Sequence, residues 1–321
     1  MGQTLRRLRF GQTNFDPLIL TFVALAIVWA IALIDIEGYR SLKANLRFLR
    51  FASLLAIVGI GQTIVVLQGG IDLSVAAVIG LAGVVGGNLI SQFGQEVGIT
   101  LTLIVAALVG IINGLGTIGL RLPPLIMTLA TSAIIDGALR IYNSGNPVSA
   151  QSPLLQRLAL DDTWGIPNSA LLALAIAIVM MVILHGTAFG RSIYAIGVNP
   201  QVAYLSGIPV GFTQLATYAI SSVTAAIVGL LLLGQTGYSF QDMGTPYLLQ
   251  SIAVVVLGGT SILGGRGKLV GTLAAALFMI ILTSWLQALR VSEAFRLVAQ
   301  GLLLLLLLIA YGLTNESSES R

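Results

Sequence analysis

The chain reads as an all-α protein that crosses a membrane about ten times, and three observations predict it. The first is composition: 56% of the 321 residues are hydrophobic and 9% are charged, with a mean hydropathy of +0.97, whereas a soluble domain carries roughly a quarter charged residues. The second is the recurrence of apolar windows of about the length that ~30 Å of hydrocarbon demands of a helix. The third is a pair of glycine-rich interruptions, Gly69-Gly70 and Gly258-Gly259 with Gly264-Gly265, in corresponding places of two halves of the chain. No polar stretch is long enough to bury a separate water-soluble core, so residues 1–321 are read as one transmembrane domain.

In order, Arg6, Arg7 and Arg9 precede an apolar run over 18–34 that ends in Asp35-Ile36-Glu37. That run has spanning length and no small-residue cleavage site, so it is expected to be a retained first helix behind a short segment, 1–16. In 39–51 the apolar Leu42, Leu46 and Leu49 alternate at helical spacing with Lys43, Arg47 and Arg50, a pattern expected to lie along the membrane interface. Further spans are expected at 52–68, 74–91, 98–120, 125–141, 169–185, 212–233, 248–257, 269–289 and 297–313, one of them short, with a tail at 314–321. The most polar stretch, 142–168, reads as a loop. An even number of crossings places both termini on one side, but the cations do not say which. Arg6, Arg7, Arg9, Arg121, Arg191, Arg266, Lys268 and Arg321 fall on one side and Arg40, Lys43, Arg47, Arg50, Arg140, Arg157, Arg290 and Arg296 on the other.

The stretch "GGIDLS", 69–74, breaks a long apolar region. In hydrocarbon every backbone donor and acceptor needs a partner, so a helix breaks only where protein or a water-filled cavity receives the freed groups. Asp72 and Ser74 stand where a new helix starts, and both residue types accept hydrogen bonds from the free amides of a helix N-terminus. A capping role and a place near a transport path are compatible readings of the aspartate. The second interruption, "GGTSILGGRGK" at 258–268, is followed, like the first, by a helix of small residues. Two glycine-broken segments in related halves are the trace expected of transporter repeats. Small residues at helical spacing also let helices pack closely.

Several functions are disfavoured. The net charge of +4 comes from cations scattered at the ends of apolar runs, without the aromatic-interleaved basic patch of a nucleic-acid binder, so no nucleic-acid partner is expected. Cysteines are absent, which excludes disulfides and thiolate metal sites. The 258–268 glycines fail the spacing of a phosphate-binding loop: Ile262 stands where its first glycine belongs, and Leu269 follows Lys268. The single histidine, His185, lies at a helix end beside Gly186 and reads as an interfacial cap, so no metal site and no catalytic residues are expected. Asp136 is the one clear acid within a span, with Arg140 four residues on as its expected neutralising partner. Ion coupling would require such an intramembrane acid to be essential.

Between spans, "GRSIYAIGVNPQVAYLSGIPVG" at 190–211 opens a short helix with Asn199-Pro200 and closes it with Ser206-Gly207. A short surface helix there serves either as a docking element for a soluble partner or as an ordinary connection.

These segments carry a resemblance. "GGIDLSVAAVIGLAG" at 69–83, "GIINGLGTIGLRLPPLIMTLAT" at 110–131, "GRSIYAIGVNPQVAYLSGI" at 190–208 and "IAVVVLGGTSILGGRGKLVGT" at 252–272 resemble, in family order, the membrane permeases of bacterial ATP-binding-cassette importers for ribose and related sugars. The same large group includes autoinducer-2 and branched-chain amino-acid permeases. The resemblance covers about residues 50–312 and implies the ten-helix type II importer fold with a cytoplasmic N-terminus. It implies that 190–211 carries the coupling helix that contacts the ATPase, with Arg191, Tyr194, Gly197, Asn199, Ala203, Ser206, Gly207 and Ile208 matching that segment. Gly69, Gly70, Asp72, Leu73 and Ser74 match the first broken helix, and Gly258, Gly259, Gly264 and Gly265 the second. The chain departs from the pattern at Ala76, Val202, Gln250 and Asp136, where the family has Gly, Ala, an acidic residue and Arg. These departures leave the substrate open.

The partners so implied are ABC ATPase subunits, a periplasmic solute-binding protein and a second permease subunit, identical or paralogous, in the bacterial inner membrane. No cofactor is expected on this chain, since ATP is bound by the ATPase. Transport by alternating access calls for weak polar contacts along the path, because a tightly held substrate does not leave. Asn113, Ser74 and Thr128 are the candidates, with packing as their alternative role. An ion-coupled carrier that depends on Asp136 is the rival from another class.

Overall fold

The computed structural model describes residues 17–302 and 305. Helix α1 (Pro17–Asp35) is followed by a 3-10 turn at Glu37–Arg40 and by α2 (Leu42–Leu67), α3 (Val75–Phe93), α4 (Gln95–Gly119) and α5 (Pro124–Asn143). Next come β1 (Val148–Ser149), α6 (Pro153–Leu160), β2 (Asp162–Thr163) and β3 (Ile166–Pro167). The chain continues with α7 (Asn168–Gly186), α8 (Ala188–Val198), α9 (Pro200–Leu205), α10 (Val210–Thr236), β4 (Tyr238–Ser239), a 3-10 turn at Gln241–Gly244, α11 (Thr245–Leu257) and α12 (Leu269–Ala288). Residues 293–302 are again helical. Among the described residues eight helices (α1 to α5, α7, α10 and α12) are long and apolar enough to cross a membrane. The protein is a multi-pass, all-α membrane protein.

The central helices are α10 and α2. Helix α10 packs on α4, α3, α2 and α6, and α2 also on α12, α7 and α11. Lipid tails are as apolar as leucine, so helices in a bilayer associate through close packing and not through escape from water. At Gly61 of α2 a Cβ would overlap Thr224 Oγ1 of α10 and stand 2.9 Å from Ser221 Cα. The buried core between α2, α3 and α10 includes Leu54, Ile57, Ile79, Ala225 and Leu231. The peripheral helices turn apolar side chains outward, among them Leu20 of α1, Leu108 of α4, Ile134 of α5 and Val182 of α7, which is the face lipid requires.

Several expectations are corrected. The segment 39–51 does not lie along the interface as a separate element: from Leu42 it forms the first turns of α2, started by Ser41, whose Oγ accepts from Ala44 N. The loop expected at 142–168 is structured. Its β1 pairs antiparallel with β4 (Val148 with Ser239, Ser149 with Tyr238), β2 pairs with β3, and α6 buries Leu155 and Ala159. Helix α11, at 13 residues, is about 20 Å long and does not cross the bilayer by itself; it is a half-span that stops at the second break. The window at 297–313 begins within the helical residues 293–302 and otherwise lies outside the described residues, as do 1–16 and 314–321.

Candidate functional site

Helix α2 ends because Gln68 leaves the helix and Gly69 takes the left-handed conformation, φ +87°. Gly69 N donates to Val66 O and Gly70 N to Val65 O, at 2.9 and 3.0 Å, the paired bonds of a Schellman cap. Helix α11 ends in the same way. Gly259, φ +84°, donates from N to Val256 O, and Thr260 N donates to Val255 O, at 2.9 and 3.1 Å. Both broken segments therefore stop on one backbone motif, although their letters after the glycines differ. Gly70 lies under Tyr218, whose hydroxyl would stand 2.6 Å from an added Cβ, and Gly258 is packed against Gly271 and Thr272 of α12.

Asp72 bridges the first break. Its side chain is 1% exposed. Oδ1 accepts from Ser74 N at 2.9 Å and from Ser74 Oγ at 2.6 Å, and Oδ2 accepts from Ser221 Oγ of α10 at 2.8 Å. Ser74 Oγ in turn accepts from Asn113 Nδ2 of α4 at 2.8 Å. Thr128 Oγ1 of α5 accepts from Leu73 N at 3.0 Å and donates to Pro124 O at 3.0 Å. Helices α4, α5 and α10 thus fasten the break at residues 72–74. The carboxylate faces the N-terminus of the 19-residue α3, where the helix dipole favours negative charge.

Asp72 accepts from the Ser74 amide as expected, but Ser74 is not the cap acceptor. Its hydroxyl makes no bond to an α3 amide and relays Asn113 to Asp72 instead. Asn113, Ser74 and Thr128 are fully buried and bonded to protein. Ser221, 149 residues from Asp72, carries no signal in the sequence that would have found it.

The third element is the segment after α7. Asn199 caps α9, its Oδ1 accepting from Gln201 N and Val202 N at 2.9 and 3.0 Å. Helix α9 closes with Gly207 N on Tyr204 O and Ile208 N on Ala203 O, again a Schellman pair. Ala203 is buried, and Ser206 Oγ donates to Val202 O at 2.9 Å. Val202, Tyr204 and Leu205 are exposed, Leu205 at 81%, as are Val198 before them and Leu263 of the second break. Arg191 is exposed on α8.

These elements meet at one point. At Gly197 of α8 an added Cβ would overlap both Leu67 O, the last residue of α2, and Gly265 N. At Gly264 a Cβ would stand 2.8 Å from Gly69 N and 3.0 Å from Gly197 Cα and O. Gly265 N donates to Leu67 O at 2.8 Å, and Tyr194 OH donates to Gly267 O at 3.1 Å; burial pushes the Tyr194 phenol above its usual pKa. Glycines far apart in the chain thus bring the end of α2 and the loop of the second break, Gly264-Gly265, into backbone contact with α8. The first turns of α2, where Arg50 pairs with Asp162 at 2.6 Å, lie at the opposite end of the bundle.

Two further residues complete the comparison with expectation. His185 Nδ1 bonds Met181 O of its own helix end at 3.0 Å. Arg140 is not held by Asp136: it ion-pairs across to Asp242 at 3.6 Å, because the Gln241–Gly244 turn runs beside α5.

A helical membrane bundle with two segments that stop at matching glycine caps and meet α8 has the interrupted segments expected of a transporter. Residues 45–308 match the family described as branched-chain amino acid transport system / permease component, and the chain belongs to that family. It is 32% identical over 295 residues to the ribose import permease protein RbsC of Haemophilus influenzae, covering 90% of this chain and 91% of that one. It is 36% identical over 264 residues to RbsC of Bacillus subtilis, covering 81% and 82%. It is 31% identical over 308 residues to the autoinducer 2 import system permease protein LsrC of Yersinia pseudotuberculosis, covering 95% and 87%.

Proposed function

We propose that this chain is the membrane-spanning permease subunit of an ABC importer for ribose or a closely similar sugar. It sits in the bacterial cytoplasmic membrane with both termini cytoplasmic and pairs with a second permease subunit. A periplasmic binding protein delivers the sugar and ATPase subunits bind the ATP, so this chain carries no cofactor and no catalytic residue. The observation that carries the reading is the backbone junction of Gly197 with Leu67, Gly69, Gly264 and Gly265. An ATPase that docks on the exposed Val202, Tyr204 and Leu205 moves α8 and α9, and through the junction it moves the end of α2 and the loop of the second break. Alternating access then follows from one displacement. In this scheme the Asp72, Ser74, Asn113 and Thr128 network flanks the path and holds the first break in shape.

The similarity to LsrC supports an autoinducer-2 substrate as the second reading. An ion-coupled carrier is not favoured, since the relatives of this chain are ribose import permeases. The test is purification of the tagged chain from its native membrane, with stoichiometric mass spectrometry of its partners, followed by uptake of labelled ribose in vesicles. One ATPase per permease and ATP-dependent ribose uptake are the expected result. Uptake of autoinducer-2 without ribose reassigns the substrate, and a chain isolated alone in several mild detergents, transporting under an ion gradient, overturns the importer reading.

A further inference from the structure

At the end of the bundle away from the glycine junction, a cavity of about 480 Å³ is lined by Leu42, Lys43, Leu46, Arg47, Arg50 and Asp162. That is a size in which small ligands and headgroups are held. Three cations face one carboxylate there. Asp162 neutralises Arg50 at 2.6 Å, and among the described residues Lys43 and Arg47 form no ion pair. The cations at 43, 47 and 50 make one stripe on α2, at i, i+4 and i+7. Leu42, Leu46 and Leu49 make a parallel stripe one residue away, with Leu42 74% exposed.

The depth of this cavity is set by an aromatic belt. Trp29 Nε1 donates to Asn45 Oδ1 at 2.9 Å, Tyr39 OH to Ser284 O at 2.7 Å and Trp285 Nε1 to Asp35 Oδ2 at 2.8 Å. Tryptophan and tyrosine with one end apolar and the other bonded sit at headgroup level, so the first turns of α2 lie at the membrane–water boundary. Cations there, beside an apolar stripe that ends in the exposed Leu49 and Phe51, match a molecule that is anionic at its head and apolar below.

We propose that this pocket binds an anionic phospholipid, its phosphate on Lys43 and Arg47 and its acyl chains along Leu42, Leu46 and Leu49. The Arg50–Asp162 pair closes the pocket on the side of the β2–β3 hairpin and keeps the headgroup at the two free cations. The site is independent of which solute is carried and of which ATPase is bound.

The experiment is native mass spectrometry of the detergent-purified importer complex equilibrated with equal phosphatidylglycerol and phosphatidylcholine, together with titration of fluorescent phosphatidylglycerol. The wild type is expected to retain phosphatidylglycerol selectively, and Lys43→Gln/Arg47→Gln to bind it roughly thirty-fold more weakly, the loss expected of two membrane-surface cations. Both substitutions are at exposed positions, and an unchanged melting curve checks the fold. Leu42→Gln is expected to weaken the lipid while leaving any binding of inorganic phosphate unaltered. Equal retention of the two lipids, or a double variant that binds phosphatidylglycerol like the wild type, overturns the proposal. So does displacement by millimolar inorganic phosphate, which assigns the pocket to a free anion. A double variant that loses only its grip on an acidic soluble protein, with lipid retention intact, assigns the pocket to protein docking and overturns it as well.

Discussion

Replacing Gly197 by alanine tests the junction directly. The added methyl overlaps Leu67 O and Gly265 N, backbone atoms with no rotamer to turn aside. A carbon relaxes to about 3.5 Å from its neighbours, so α8 has to separate from Leu67 and Gly265 by more than about 1 Å. Overpacking of this kind costs about 1–3 kcal/mol. If α8 stays in place, the methyl instead wedges between Gly265 N and Leu67 O and breaks their 2.8 Å bond, a loss of about 1 kcal/mol. The control is Gly207→Ala, where a Cβ meets open space and the penalty is the left-handed backbone, φ +80°, about 1 kcal/mol. Thermal unfolding of the purified chain is expected to fall further for Gly197→Ala than for Gly207→Ala. In the reconstituted importer, Gly197→Ala is expected to leave basal ATP hydrolysis intact while lowering transport-coupled hydrolysis. A Gly197→Ala protein that melts with the wild type and couples normally refutes the junction as a rigid link.

Two further predictions concern the buried polar groups. Asp72→Ala orphans three donors, from Ser74 N, Ser74 Oγ and Ser221 Oγ, at about 1 kcal/mol or more each. Ser221→Ala removes one charge-assisted bond, about 1.5–3 kcal/mol, so the double variant is expected to fall short of the sum in a denaturant-midpoint cycle; strict additivity contradicts the shared network. Gln62 is fully buried on α2 with neither amide atom partnered among the described residues, so Gln62→Leu is expected to raise the melting temperature by relieving about 1–3 kcal/mol of desolvation. A lower melting temperature means the amide has a partner in the folded protein.

Much of the candidate site was legible because the bilayer makes polar residues expensive inside a span. Asp72, Ser74, Asn113 and Thr128 stood out on that ground, and the structure brings all four together. The Asn199 cap and the Gly207 stop were readable from local hydrogen-bonding chemistry, and α9 occupies the place they mark. The Asp136–Arg140 pair was misjudged because spacing on one helix shows only neighbours on that helix, and the acid within ion-pair distance of Arg140, Asp242, comes from a turn over a hundred positions away. The interfacial helix at 39–51 was misjudged for a related reason: cations among leucines fit a helix lying flat and equally the end of a spanning helix at the water boundary.

The sequence by itself determined the solvent, the approximate limits of eight of the ten expected spans and the two breaks, since these follow from local hydropathy and from the backbone freedom of glycine. Only the tertiary structure decided that Gly197, Gly69, Gly264 and Gly265 occupy one point. It also decided that Ser221 closes the Asp72 network and that the cations of α2 gather around a cavity with Asp162. Each of these depends on which helices lie side by side. In a bilayer that choice is made by close packing of small residues between distant segments, and a one-dimensional pattern records the small residues without recording their partners.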